Sequence, residues 1–275
     1  DYVPRDLFFA MMRRNAIEDK RGAVIHRGAC SSTTERDADY LMRNNLSFSK
    51  AVCLFALEKK ARFINASSGA TYGDGSLGFD DDLEKMDELK PLNMYGYTKL
   101  LFDRWALREG CFKDIASLKF FNVYGPNEQH KGDMRSVANK AFHQIAKTGE
   151  MTLFRSCHPD YSDGGQMRDF VYIKDCCDIM WWLLQNGRVS GLFNVGTGKA
   201  RSWNDLAAAV FSAMHRPADV RYVDMPEELA GKYQNFTEAR MDRLKAAGYD
   251  APMRSLEEGV ADYVQNYLQT KDPYL

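Results

Sequence analysis

The chain has 275 residues, 45% hydrophobic and 27% charged, enough to bury a sizeable core in one large domain or a domain with a smaller lobe. Thirty-seven Lys and Arg against 38 Asp and Glu leave a net charge of −1, which removes any global attraction to nucleic acid or an anionic membrane. No apolar run is long enough to span a bilayer, and the opening Asp1 to Asp6 lacks the layout of a signal peptide, so a cytoplasmic protein is expected.

Apolar runs and helical periodicities alternate along the chain, which predicts an α/β fold with a parallel sheet wrapped by helices. Asp6 to Asn15 reads as a helix and Ala23 to His26 as a short buried strand. Glu35 to Lys60 carries a long helical pattern through Leu41, Phe48, Val52 and Leu57. Arg62 to Ala66 is the next strand, Tyr95 to Arg108 the next helix, and Ser117 to Asn122 the strand after it. Ser136 to Lys147 reads as a helix, Asp169 to Ile173 as a strand, Asp175 to Gln185 as an apolar helix, and Leu192 to Val195 as a strand. Ser202, with Asp205 three residues on, opens a helix to about Met214. Thr237 to Ala247 and Leu256 to Leu268 close the chain as helices. Two connections, Gly73 to Leu92 and Cys157 to Met167, are long for a compact domain and are candidate binding loops.

The six cysteines (Cys30, Cys53, Cys111, Cys157, Cys176 and Cys177) show no metal-ligand spacing, so no metal is expected. The Cys176–Cys177 pair reads as small apolar helix residues rather than a redox switch.

The chemistry starts at Tyr95-Gly96-Tyr97-Thr98-Lys99. Residues four apart share a helix face, so Tyr95 and Lys99 can point into one cleft. A phenol of pKa about 10 is a poor base at neutral pH, and a nearby ammonium moves it toward the working range. Read alone, the pair is a weak signal, and such spacings are mostly two residues on a helix surface. One strand upstream, Ala66-Ser67-Ser68-Gly69-Ala70-Thr71 places small hydroxyls at a strand's C-terminal edge, where open α/β sheets bind ligands. Phe120 to Pro126, Asp169 to Asp175 and Phe193 to Gly198 are three further strand–turn junctions.

The order and spacing of these five segments resemble the extended short-chain dehydrogenase/reductases, the nucleotide-sugar epimerases and dehydratases. His26 to Glu35, Asn44-Asn45, Asn127 to Met134 and Gly231 to Thr237 resemble, within that family, the ADP-glycero-manno-heptose 6-epimerases. The resemblance implies a Rossmann-like doubly wound parallel sheet, N-terminally incomplete here, with a smaller C-terminal α/β lobe. It implies a dinucleotide-binding domain of residues 1–125 plus about 169–195, and a substrate lobe of about 126–168 plus 196–275. The implied reaction is epimerisation at C6 of the ADP-bound heptose used in lipopolysaccharide core assembly, through transient oxidation to a ketone by NADP, with NAD as the alternative. The implied assembly is a homo-oligomer, a pentamer by resemblance.

By the same resemblance Tyr95 and Lys131 match the two acid/base positions, Lys99 the cofactor-ribose lysine and Ser68 the hydroxyl position. Arg5, Gly28, Ala29, Cys30, Ser31, Asn44 and Val123, with Lys99 and Lys131, match cofactor contacts. Ser68, Asn122, Asp133, Lys140, Phe154, Arg155, Ser156, Arg168 and Tyr233 match substrate contacts. Chemically, inversion through a ketone benefits from a second proton-transfer group, and Lys131 serves if a dry site lowers its pKa. Arg155 and Arg168 suit a pyrophosphate, because guanidinium bonds phosphate bidentately. Arg27, Asp133 and Lys140 depart from the family's pattern, in which an acidic residue, a small hydroxyl and a histidine are expected.

Gly73, Gly75 and Gly78 spell a literal GxGxxG, but Asp80-Asp81-Asp82 follows where a helix N-terminus should receive pyrophosphate. This segment reads as a flexible acidic loop. The true glycine loop is expected about 40–50 residues before Asp1, so the chain from Asp1 is expected to hold the cofactor weakly. Two other readings stand beside the heptose epimerase. One is another nucleotide-sugar enzyme, such as a UDP-sugar 4-epimerase or a dTDP-sugar 4,6-dehydratase. The absence of an acidic pair beside Ser68 argues against the dehydratase. The other is a truncated, non-catalytic binding protein that keeps the fold.

Overall fold

The computed structural model describes residues 2–14, 16–17, 22–227 and 233–274. The chain enters through helix α1 (Arg5–Arg13), followed by strand β1 (Ala23–His26). Ala38–Leu41, Met42–Ser47 and Phe48–Glu58 then run on as one helix, α2, whose middle is π-helical. It starts three residues later than the periodicity from Glu35 suggests, because the Asp37 carboxylate accepts the Tyr40 N–H and caps the first turn. Strand β2 (Arg62–Ser68), helix α3 (Met94–Arg108) and strand β3 (Ile115–Phe120) follow.

The chain breaks at Phe121, then forms β4 (Asn122–Tyr124), helix α4 (Val137–Thr148) and strand β5 (Met151–Phe154). Strands β6 (Met167–Arg168) and β7 (Phe170–Tyr172) precede helix α5 (Ile173–Gln185) and strand β8 (Gly191–Val195). Strand β9 (Arg201–Ser202), helix α6 (Trp203–Ala213) and strand β10 (Val220–Val223) lead to helix α7 (Asp242–Ala246). The last helix, α8, joins Leu256–Tyr263 to a π-helical Val264–Leu268. None of the described helices is long and apolar enough to cross a membrane.

The main sheet is parallel in the order β1-β2-β3-β8, with Ala23 opposite Arg62, Phe63 opposite Ile115 and Ala116 opposite Gly191. Three two-stranded pairs flank it: β4 with β7 and β5 with β10, both parallel, and β6 with β9, antiparallel. Phe63, Leu100, Phe102 and Ile115 form the core between α2, α3 and the sheet, while Ile64, Leu118, Ile179 and Val195 fill the opposite face. A third cluster, with Ile145, Phe211, Val260 and Tyr263, packs α4, α6 and α8 around β5 and β7.

Several expected elements change shape. The helix expected over Thr237 to Ala247 forms only at Asp242–Ala246. The residues before it form no helix, because Thr237 donates its N–H to Met167 O and Ala239 donates its N–H to the Asp169 carboxylate. The strand expected over Ser117 to Asn122 divides at Phe121, whose N–H bonds Val195 O while Asn122 N–H bonds Asp169 O. The acidic loop after Gly73 is packed rather than flexible. Phe79 and Met86 are buried, and the buried Asp81 carboxylate accepts the Asn194 N–H at 2.8 Å. Gly73, Gly75 and Gly78 all have positive φ and open no helix. Cys176 is buried and Cys177 exposed, as adjacent residues on a half-buried helix should be.

Candidate active site

Two adjoining cavities lie at the C-terminal ends of β1, β2 and β3, of about 360 and 260 Å³. Ser31, Ser68, Tyr95, Phe120 and Phe121 wall both, so the two form one cleft with a shared floor. Strand β2 runs two residues past the expected Ala66 and ends at Ser68. The Ser68 hydroxyl accepts the Ala70 N–H at 3.1 Å, capping a one-turn helix at Gly69–Tyr72.

Helix α3 brings Tyr95 to this floor. Asn93 caps it by accepting the Gly96 N–H at 2.8 Å. Gly96 permits the close approach, since a Cβ there would stand 2.7 Å from Ala70 O and 2.9 Å from Pro91 Cβ. One turn on, the buried Lys99 donates from Nζ to Ala66 O at 2.6 Å, with Nζ 5.9 Å from the centre of the Tyr95 ring. Burial lowers the Lys99 ammonium to about 8. It raises the Tyr95 phenol above its ordinary value, against the pull of the Ser68 hydroxyl. This corrects the expectation that Lys99 already brings Tyr95 toward neutrality: the ammonium is engaged by a backbone carbonyl, and desolvation decides.

The smaller cavity is walled by Arg27, Ala29, Cys30, Lys99, Val123 and Lys131 with apolar Ile173 and Met180. Asn45 braces its entrance. Its Oδ1 accepts the Cys30 N–H at 2.8 Å, and its Nδ2 donates to Cys30 O and to Thr98 Oγ1. The donor set fits a nicotinamide dinucleotide: an apolar slot for a flat ring, Tyr95, Lys99 and Ser31 for hydroxyls, and cations at the rim. Arg5 and the buried Asn44 are hydrogen-bonded to each other near this loop, and Gly28 lies exposed against His26 and Phe48. These three are outside the cavity walls. Lys131 sits on a one-turn helix, Gln129–Met134, kinked at Gly132 with φ 53°. It is exposed rather than enclosed in the dry pocket expected of it.

Asn122, Arg168, Tyr233, Gln234 and Thr237 wall the larger cavity. Arg168 is only 6% exposed, yet its Nη1 donates to Met167 O alone, at 2.8 Å, and no carboxylate pairs with it among the described residues. Its guanidinium lies between the rings of Trp203 and Tyr233, at 5.5 and 5.0 Å from their centres. A buried cation held by aromatic faces and one carbonyl is suited to an incoming anion. Tyr161, from the long connection after Cys157, also lies close enough to influence it.

The remaining expected substrate contacts lie elsewhere. Asp133 and Lys140 are exposed beside and on α4, and Phe154, Arg155 and Ser156 sit at the end of β5. Arg155 pairs with Asp224 at 3.0 Å and Asp163 at 3.7 Å, and Ser156 donates to His158 O. None of the five walls the cleft. Gly231 and Lys232, part of the motif ending at Thr237, lie outside the described residues. Sequence reasoning missed Thr33, Asn93, Phe121, Gln234 and Thr237 as cleft walls; Gln234 and Thr237 were within reach, as polar residues flanking the expected Tyr233.

A parallel sheet whose strand end presents a serine, beside a helix that brings a tyrosine and a buried lysine to the same cleft, defines a nicotinamide-dependent enzyme of the short-chain dehydrogenase type. The NAD dependent epimerase/dehydratase family model matches residues 10–196, and the chain belongs to that family. It is 64% identical over 275 residues to the ADP-L-glycero-D-manno-heptose-6-epimerase of Nitratidesulfovibrio vulgaris (strain DP4), covering 100% of this chain and 85% of the relative. It is 47% identical to the enzyme of that name from Fusobacterium nucleatum, covering 100% of this chain and 86% of the relative. Among solved structures, Helicobacter pylori ADP-L-glycero-D-manno-heptose-6-epimerase aligns with a TM-score of 0.77 at 28% identity, covering 93% of this chain and 75% of that one. Thermus thermophilus UDP-glucose 4-epimerase in complex with NAD aligns at 0.73 and 22% identity, covering 94% and 81%, a likeness of fold.

Proposed function

We propose that the protein epimerises C6 of the heptose in ADP-glycero-manno-heptose, with NADP as cofactor, for the lipopolysaccharide core. The observation that carries this reading is that Ser68 and Tyr95 wall two adjoining cavities, the smaller also walled by Lys99 and the larger by Arg168, which pairs with no carboxylate among the described residues. The names of the relatives at 64% and 47% identity support the choice of sugar over a UDP-hexose.

A bound nicotinamide dinucleotide supplies reversible hydride acceptance; residues Ala29, Cys30, Ser31, Lys99 and Val123 would hold it, with Arg5, Gly28 and Asn44 at the edge. Tyr95 moves the proton of the substrate hydroxyl, and Ser68 bonds the same oxygen. Lys99 keeps a positive charge beside the phenolate as it forms. Arg168 takes the pyrophosphate, with Tyr233 against the nucleotide-sugar and Asn122 at the sugar. Lys131, at the wall of the smaller cavity, serves as the second proton-transfer group. Residues 1–125 with about 169–195 bind the dinucleotide, and the rest bind the sugar. The reading includes a cytoplasmic homo-oligomer, which light scattering would test.

The deciding experiment incubates the protein, NADP and ADP-D-glycero-D-manno-heptose and follows the L-glycero epimer by NMR. Conversion is expected, with UDP-glucose untouched. Tyr95→Phe should lower kcat at least about 100-fold while the fold is retained. Turnover of UDP-glucose with no conversion of the heptose would overturn the reading in favour of a 4-epimerase.

A further inference from the structure

Beneath the cleft lies a buried ionic cluster that the proton transfer itself does not use. Asp103 stands one turn below Lys99 on α3, wholly buried. Its two oxygens accept from Ser67 Oγ at 2.6 Å and Ser117 Oγ at 3.1 Å. Ser67 lies between Ala66, whose carbonyl holds Lys99, and Ser68 of the cleft floor. The strand end Ala66-Ser67-Ser68 therefore fixes Lys99, Asp103 and the hydroxyl that meets Tyr95 in one three-residue frame.

From the next strand Lys119 enters the same layer, 1% exposed, with Nζ 4.3 Å from the centre of the Tyr72 ring. Tyr72 donates to Asn194 Oδ1 at 2.7 Å, and Asn194 donates its N–H to Asp81 at 2.8 Å. Lys119 stands opposite Ser67 in the β2–β3 register and two residues on from Ser117, the two serines that bond Asp103, so two buried lysines share the neighbourhood of one buried carboxylate. Well-packed apolar residues would hold such a core together as well or better, so stability alone gives no reason for it.

We propose that Asp103 is a positioning residue that holds Lys99 in its charged form, and that Lys119 competes with Lys99 for the same carboxylate. The inference rests on Lys99 supporting Tyr95, as in the proposed function. Burial lowers both amines, and Asp103 pulls each partly back, leaving them at about 8. The groups facing Lys99 are His26 from β1, Cys30 from the following loop, and Tyr95 and Asp103 from α3. Lys119 faces Asp103 and Asp81. With Asp103 ionised, Lys99 keeps its proton to higher pH. With Lys119 charged beside it, part of that support is withdrawn.

The test follows the Lys99 Cε resonance in 13C-lysine-labelled protein against pH, assigned by its loss in Lys99→Arg. Asp103→Asn removes the charge, keeps one acceptor oxygen and turns an amide N–H toward the other serine, whose hydroxyl can accept it. The Lys99 midpoint should fall by about one unit. Lys119→Met should move it upward. In turnover, the alkaline limb of kcat should move in the same two directions while the KM for nucleotide-sugar stays put. Midpoints unchanged in both variants, or shifted in one common direction, would overturn the proposal. Because the NMR readout needs no turnover, an inactive wild type with the expected midpoint shifts would count against the proposed reaction and not against the cluster. If Asp103→Asn does not fold, an unmoved or lowered midpoint in Lys119→Met is sufficient to reject it.

Discussion

His26 shows how one side chain can be read from its neighbours. It ends β1 buried against Phe48 and Phe63, with Nε2 2.8 Å from Ser49 Oγ. Burial first, and the Lys99 charge second, lower its pKa to about 4. Between about 4 and the unfolded value of 6.5, the unfolded chain binds a proton that the folded one does not. Stability is therefore complete above 6.5 and falls as pH drops through this window, by up to about 3 kcal/mol. Denaturant unfolding at pH 7 and pH 4.5 should show that loss, and His26→Gln should show markedly less of it. Equal losses in both proteins would place the acid sensitivity elsewhere. At the same scale, Tyr95, Lys99 and Ser68 were legible in the sequence because their spacing is local: four residues on a helix, and one position at a strand end. Asp103 and Lys119 were not, because a charged residue in a sequence gives no sign that it is wholly buried.

At the scale of elements, the decisive contact is between α3 and the turn after β2. The Tyr95 helix reaches Ser68 only because residue 96 has no side chain. Gly96→Ala would press a methyl into Ala70 O and Pro91, neither of which is the free end of a flexible chain. A loss of about 1–3 kcal/mol is expected, although alanine favours helix, with kcat falling as Tyr95 is displaced from Ser68. A variant as stable and as active as the parent would show that the approach is looser than described. The alternation of strands and helices predicted most of the main sheet, since buried parallel strands are short apolar runs. Strands β5 and β10 were missed: Met-Thr-Leu-Phe and Val-Arg-Tyr-Val are four residues each and pair only with one another. The helix expected at Thr237 failed for a tertiary reason, because Met167 and Asp169 offer that backbone partners that a helix would forgo.

Across the whole molecule, the last helix reaches back to the turn that carries Lys131. Tyr263 donates to Glu128 Oε1 at 2.9 Å and accepts from Asn139 Nδ2 at 2.8 Å. Glu128 in turn accepts the Ser136 N–H and hydroxyl. This buried node holds the base of Gln129–Met134 against α4 and α8. Tyr263→Phe would strand the Asn139 amide and leave Glu128 Oε1 with the Ser136 hydroxyl as its remaining donor, at a cost of about 1–3 kcal/mol. Faster amide exchange across Gln129–Met134 should accompany the lower stability. Unchanged exchange there would separate the node from the turn.

The sequence by itself determined the alternating α/β plan, the placing of Ser68, Tyr95 and Lys99 at strand and helix ends, and the rejection of Gly73, Gly75 and Gly78 as a phosphate loop. Each depends on periodicity, capping or spacing within a few residues, which the chain carries locally. Only the tertiary structure decided that Arg168 is buried without a carboxylate, that Lys131 stands in water, that Phe154, Arg155 and Ser156 leave the cleft, and that Asp103 lies between two lysines. Burial and ionic pairing depend on residues far apart in the chain, and the charge state of a side chain follows from what surrounds it rather than from its neighbours in sequence.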